Sequence, residues 1–238
     1  MLEGSTLFVY IADVYCPWCH AFAPIMKRIV AENPEIPVLV LGGNLISQPT
    51  TLADDVAASN DLVGFWEDVQ TKSGQSFAGA IKAAKDGSMV RMYSPGADEI
   101  LTVLSEYAPG HELEQLFYLE DLFYAQGRDL FDEATLNEIA ERWDVKPEPF
   151  QRALDSAKTK EVTDAKLEEA AEVMGDISAY PTLLLVRRMD VAVVSRGFVH
   201  YETVATRLKN ALEEMGLEKL ENEFCSRSGT CSAGPARG

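Results

Sequence analysis

The sequence predicts an α/β protein in which one sheet is assembled from both ends of the chain and a large all-helical insertion separates its two parts. Two blocks of strand-like sequence lie far apart, one within residues 7–42 and one within residues 182–198. Between about residues 47 and 175 the apolar spacing is helical almost throughout. Neither block alone has enough strands to form a stable sheet, so the two must pair. The implied organisation is a discontinuous domain of residues 1–46 and 176–216, a helical insertion of residues 47–175, and a flexible C-terminal tail of residues 217–238 that carries a second cysteine pair.

Taken in order, residues 7–12 are apolar and β-branched enough for a buried strand, which is expected to run on to residue 15. Ala21, Phe22, Ile25, Met26 and Ile29 then recur at helical spacing over residues 17–31. Residues 37–42 form a second strand. In the insertion, breaks are expected at Gly74, Gly87, Pro95-Gly96, Pro109-Gly110, Gly127 and Pro147. Leu136, Ile139, Ala140 and Trp143 mark one short amphipathic helix with Asp132 as its N-cap. Phe117, Tyr118, Phe123 and Tyr124 fall at helical spacing and are read as core rather than as a ligand box. Strands at 182–187 and 191–198 follow. A final helix over 201–215 has Tyr201, Val204, Ala205, Leu208 and Leu212 as its apolar stripe and Gly216 at its C-terminal stop.

The chemistry-bearing feature is Cys16-Pro17-Trp18-Cys19, set between the first strand and the first helix. Helix N-termini present unpaired N–H groups and a positive dipole end, which favour an anionic sulfur, the reactive form of cysteine. Pro17 suits the first turn, where its missing N–H costs nothing. A zinc half-site would need two further ligands at comparable spacing, and the remaining cysteines, Cys225 and Cys231, lie far downstream, so no metal is expected. A structural disulfide closing so short a loop removes little chain entropy. Redox exchange is the reading that the strand-to-helix context favours.

Composition excludes several classes. The chain has 238 residues, 47% of them hydrophobic, and a formal net charge of −17. That charge argues against nucleic acid or an anionic membrane as a partner, since both reward a basic face. No run reaches the ~18 apolar residues of a spanning helix. The first residues lack a basic region and the apolar stretch after them stops at Asp13, so a cytoplasmic location is expected. His111 and His200 have no partners at ligand spacing, and His20 is read as a surface or partly packed side chain. Gly42-Gly43 has no basic residue after it and is read as a turn rather than a phosphate site.

Cys16-Pro17-Trp18-Cys19 followed by Pro24 inside the helix, with Tyr180-Pro181 directly before a strand, resembles the thioredoxin-fold active site. With the helical insertion, the chain from about residue 7 to 215 is similar to the DsbA family, and more closely to its FrnE-like or predicted protein-disulfide-isomerase branch. The segments 123–129 and 179–185 also read like that branch. The resemblance implies a thioredoxin fold with a large all-helical insertion, Cys16 as attacking thiol, Cys19 as resolving thiol, and a cis Pro181 facing them. It also implies that Tyr180, Pro181, Pro17 and Trp18 bind substrate. One position departs from the family pattern. Six residues before the first cysteine, where a buried carboxylate is common, stands Tyr10. Asp13 lies nearer and is read either as a proton relay or as a cap or backbone-binding residue.

The expected activity is thiol–disulfide exchange on proteins or peptides, with no cofactor, and with glutathione or a thioredoxin-type protein as further partners. Two alternatives remain at this level. One is a glutathione-dependent isomerase or transferase of the kappa type, which generally has serine at the first position and lacks the second cysteine. The other is a non-catalytic peptide-binding or chaperone module. Cys225 and Cys231 are read either as a terminal bridge or unremarkable thiols, or as a second redox pair passing electrons to Cys16 and Cys19.

Overall fold

A strand that is apolar at nearly every position needs cover on both faces, and helices supply that cover here. The computed structural model describes residues 6–176 and 178–216. Its first elements are β1 (Thr6–Ala12), α1 (Pro17–Glu32), β2 (Val38–Gly42), β3 (Thr50–Thr51), α2 (Leu52–Ala58), α3 (Leu62–Ser73), α4 (Ala78–Lys85) and β4 (Arg91–Met92). The helices α5 (Ser94–Tyr107), α6 (Glu112–Tyr124), α7 (Glu133–Arg142), α8 (Pro147–Leu154) and α9 (Ala157–Met174) follow. The described chain closes with β5 (Thr182–Arg187), β6 (Asp190–Arg196) and α10 (Tyr201–Glu214).

The main sheet has the order β2-β1-β5-β6, with β1 parallel to β2 and antiparallel to β5. Strands from the two ends of the chain therefore sit side by side, and Tyr10 lies between Val40 and Leu183. Successive side chains of β1 alternate between faces. Phe8, Tyr10 and Ala12 join Phe22, Met26 and Ile29 of α1 and Val204, Leu208 and Ala211 of α10 in one core. Val9 and Ile11 point the other way, where Leu41, Leu184, and Ala170 and Met174 of α9 meet them. The central strands β1 and β5 are thus covered on both faces, while the edge strands are partly exposed, and the Cys16–Cys19 segment emerges at the C-terminal end of β1.

The observed elements differ from expectation in three places. β1 stops at Ala12 rather than running to residue 15. Pro95-Gly96 does not break a helix but sits in the first turn of α5, where proline is accommodated. The insertion also contains β3 and β4, a two-stranded ribbon pairing Thr50 with Met92 and Thr51 with Arg91, too short to leave a periodic signal. Asp132 caps α7 as read, its side chain accepting from the N–H groups of Ala134 and Thr135. Phe117, Phe123 and Tyr124 are buried core residues. Cys225 and Cys231 lie outside the described residues.

Candidate functional site

The strand-to-helix junction is shaped by Asp13. Its carboxylate is fully buried, with Oδ1 accepting the Tyr15 N–H at 2.8 Å and Oδ2 accepting the Leu45 N–H at 2.8 Å. These bonds turn the chain out of β1 and tie it to the loop after β2. The Cys16 N–H closes the turn on the Asp13 carbonyl at 3.0 Å. Of the two readings of Asp13, the geometry is that of a backbone-binding residue, with both oxygens occupied. Burial raises its pKa, and the hydrogen bonds it accepts oppose that shift.

Cys16 is the N-cap of α1, in extended conformation, and Pro17 opens the helix. Cys19 lies in the first turn, its N–H bonded to the Cys16 carbonyl at 2.9 Å. Both are free thiols. Their surroundings differ in degree: Cys16 is 5% exposed and Cys19 is 0% exposed. Burial pushes the Cys19 thiol well up, and the neighbouring Cys16 and Glu120 push in the same direction. Alkylation of the reduced protein near neutral pH is therefore expected to label Cys16 before Cys19, read by peptide mass mapping at short times. Labelling in the opposite order would reverse the roles of the two sulfurs.

The opposite wall comes from the segment before β5. The Tyr180–Pro181 peptide bond is cis, and the Cys16 Sγ–H points at the Tyr180 carbonyl at 3.8 Å. The Tyr180 hydroxyl accepts the Asn44 N–H at 3.1 Å. Gly43 makes this three-way approach possible. A Cβ there would lie 2.7 Å from Asp13 Cβ and 2.9 Å from the Tyr180 ring, so the double glycine is a close-approach turn beneath the thiols. Trp18 borders the site, its ring 5.2 Å from Phe198 and 6.0 Å from the partly exposed Phe65 of α3, with Lys72 Nζ 5.9 Å from its centroid. Asp13, Cys16, Pro17, Trp18, Cys19, Tyr180 and Pro181 are thus gathered at one place.

The insertion closes the site from the side. His20 is buried rather than at the surface, its Nε2 paired with the Ser76 carbonyl at 3.0 Å and its ring 5.1 Å from both Phe77 and Tyr124. Burial lowers its pKa. Phe123 of α6 meets Tyr15 edge-on at 5.0 Å. Phe117, two turns earlier, meets Tyr10 at 6.4 Å. Between them on the same helix, Glu120 is 0% exposed, and neither carboxyl oxygen has a hydrogen-bond partner among the described residues. Glu120 escaped sequence reasoning. Its one signal is that the residues three and four positions to either side, Leu116, Phe117, Phe123 and Tyr124, are all apolar or aromatic.

The family model for the DSBA-like thioredoxin domain matches residues 8–175. Among curated proteins, the chain is 23% identical over 171 residues to the ClpXP adapter protein SpxH of Bacillus subtilis. That match covers 72% of this chain and about half, 55%, of that protein's length. A Nitrosomonas europaea protein assigned as a protein disulfide isomerase is 20% identical, covers 88% of this chain and 98% of its own, and superposes with a TM-score of 0.71. The cytosolic disulfide reductase DsbM of Pseudomonas aeruginosa, whose structure has also been solved with glutathione, is 20% identical with a TM-score of 0.65, covering 79% of this chain and 89% of its own. These structural likenesses show a shared fold.

Proposed function

Because this chain belongs to the DSBA-like thioredoxin domain family, we propose that it is a thiol–disulfide oxidoreductase that exchanges disulfides with proteins or peptides through Cys16 and Cys19. One observation carries the reading: two free thiols one helical turn apart at the head of α1, the more accessible of them facing the carbonyl of Tyr180. In the reductive direction, Cys16 attacks a substrate disulfide and forms a mixed disulfide. Cys19 then attacks Cys16 Sγ, releasing the substrate thiol and leaving the Cys16–Cys19 disulfide. In the oxidative direction the same bonds form and break in reverse, and the reduction potential of the pair against its surroundings sets the direction.

The wall formed by Trp18, Phe65 and Phe198 offers apolar surface to a substrate side chain, and Tyr180 offers main chain to an extended peptide. A discontinuous thioredoxin-like domain of residues 1–46 and 176–216, interrupted by a helical domain of residues 47–175, is part of the same proposal, as is a cytoplasmic setting. Among the described residues, no helix is long and apolar enough to cross a membrane.

The test is a trap. Cys19→Ser removes the resolving attack, so mixed disulfides at Cys16 should accumulate when the reduced protein meets client disulfides. Non-reducing electrophoresis and mass spectrometry of the adducts are expected to show polypeptides at Cys16. Recovery of glutathione alone would shift the reading to a small-molecule enzyme, a class for which the glutathione-bound relative of the same fold is the supporting observation. Failure to trap any thiol, together with no insulin reduction by the unsubstituted protein, would leave a binding module.

A further inference from the structure

Glu120 is a buried carboxyl with no partner among the described residues, and its surroundings are chemical rather than structural. For packing alone, such a group is costly, since a leucine or glutamine fills the same space without an unpaired acid. The residues flanking it fix where it sits. Phe117, three positions before, touches Tyr10 of β1, and Tyr124, four positions after, stacks on His20, the residue following Cys19. Positions at these spacings share one helix face, so Glu120 is held against the junction that carries the thiols. The hydroxyls of Tyr10 and Tyr124 are also buried without partners among the described residues, and both are in electrostatic reach of Cys16, Cys19 and Glu120.

The resolving step needs a Cys19 thiolate, yet Cys19 is sealed from water. An internal base must take its proton. His20 holds its Nε2 on the Ser76 carbonyl, and its Nδ1, unpartnered among the described residues, belongs to a ring packed against Phe77 and Tyr124 whose basicity burial lowers. Asp13 has both oxygens committed to the N–H groups of Tyr15 and Leu45, so of the two carboxyls Glu120 is the one with unengaged oxygens among the described residues.

We propose that Glu120, supplied by the helical insertion, is the proton acceptor for Cys19 during resolution of the mixed disulfide. The inference rests on the disulfide-exchange reading above. Glu120 takes the Cys19 proton as Cys19 Sγ attacks Cys16 Sγ. The Cys16–Cys19 bond forms, the bond from Cys16 Sγ to the substrate sulfur breaks, and the leaving thiolate receives a proton in turn. The substrate disulfide gains the two electrons that the cysteine pair loses, and a small dithiol restores the pair for the next cycle.

The charges acting on Glu120 come from Cys16 at the head of α1, Asp13 in the preceding turn and Lys27 further along α1. α4, α5 and β2 also pack against α6, and none of their ionisable groups is among the charges shifting it. Burial raises Glu120, the Cys16 and Asp13 charges raise it further, and Lys27 opposes them. Burial thus displaces the Glu120 carboxyl and the Cys19 thiol in the same direction, which narrows the gap a proton must cross between them.

The two half-steps are separable with 5,5′-dithiobis(2-nitrobenzoate), which releases one coloured thiolate when Cys16 attacks and a second when Cys19 resolves. Glu120→Gln should slow the second release at least about tenfold near neutral pH and leave the first within about twofold. The deficit should shrink as pH rises, because a growing fraction of Cys19 is then already thiolate when the mixed disulfide forms and needs no acceptor, and Glu120→Asp should recover part of the rate. A second release within about twofold of the unsubstituted rate at every pH, or an equal loss in Gln and Asp variants that does not vary with pH, overturns the proposal. Where Glu120→Gln does not fold, infrared difference spectra of the unsubstituted protein should show a carboxyl still protonated above the usual carboxylate range whose band changes between dithiol and disulfide states. Absence of such a band overturns the proposal. If the unsubstituted protein gives neither coloured release, the disulfide-exchange reading fails and this inference falls with it. A normal first release with an unaffected second one removes Glu120 alone.

Discussion

Cys16→Ser is expected to reduce disulfide exchange to the uncatalysed background, a loss of at least about a thousandfold in an insulin-reduction assay with a small dithiol. A serine hydroxyl stays protonated at neutral pH and cannot form the sulfur–sulfur bond on which both half-reactions depend. Cys19 cannot take over, because it is fully buried and its thiol is pushed well up by that burial. The substitution is nearly isosteric at the N-cap, a position where serine is favourable, so the fold should be unaffected. Unchanged thermal unfolding alongside lost turnover is the expected pair of results. Retained turnover would remove Cys16 from the mechanism.

The largest stability effect is expected at Phe22. It lies one turn beyond Cys19, is fully buried, stacks on Tyr10 at 6.1 Å with nearly parallel planes, and meets Phe198 edge-on at 6.4 Å. Phe22→Ala removes the ring that joins α1 to the central strand and leaves a cavity that the rigid sheet cannot fill. The expected cost is about 3–5 kcal/mol in denaturant unfolding. Met189, 94% exposed at the β5–β6 turn, supplies the control, since Met189→Ala should change stability by under about 0.5 kcal/mol. A Phe22 cost near that of the control would mean that α1 is not anchored through this ring.

What could be read from the sequence was what is encoded locally. Cys16 to Cys19 form a contiguous motif between a strand and a helix, and Asp132 lies one position before the helix it caps, so both were legible without the fold. The pairing of the two ends into one sheet was also legible, because neither strand block could stand alone. What escaped depends on partners far along the chain. Residues 13–15 look like a continued strand until Leu45 is brought in to share the Asp13 carboxylate. Pro95-Gly96 looks like a break. Gly96 instead gives room to Tyr93 and Phe131, since a Cβ there would meet both rings within 3 Å. His20 could be placed only once Ser76, Phe77 and Tyr124 were known to surround it. Glu120 stands next to Asp121 in a helical sequence, and only the apolar residues three and four positions away separate it from a surface acid. Its burial comes from α1 packing against α6, a partner that its neighbourhood does not name. The paired thiols were therefore visible in advance, whereas the surroundings that would control their protons were not.

The Cys16 thiol faces a carbonyl that lies 164 positions later in the chain, and this spacing bears on how the protein is made. During translation the two cysteines leave the ribosome well before β5, which will lie beside β1, and before the Tyr180 wall that will face the sulfurs. At ordinary elongation rates the interval is on the order of ten seconds. Throughout it the pair is an uncovered dithiol in an unfinished polypeptide, open to glutathione, to oxidants and to other nascent chains. The newborn protein is thus a client for the same class of chemistry that we assign to the finished one, and arrival of the last strands ends its exposure.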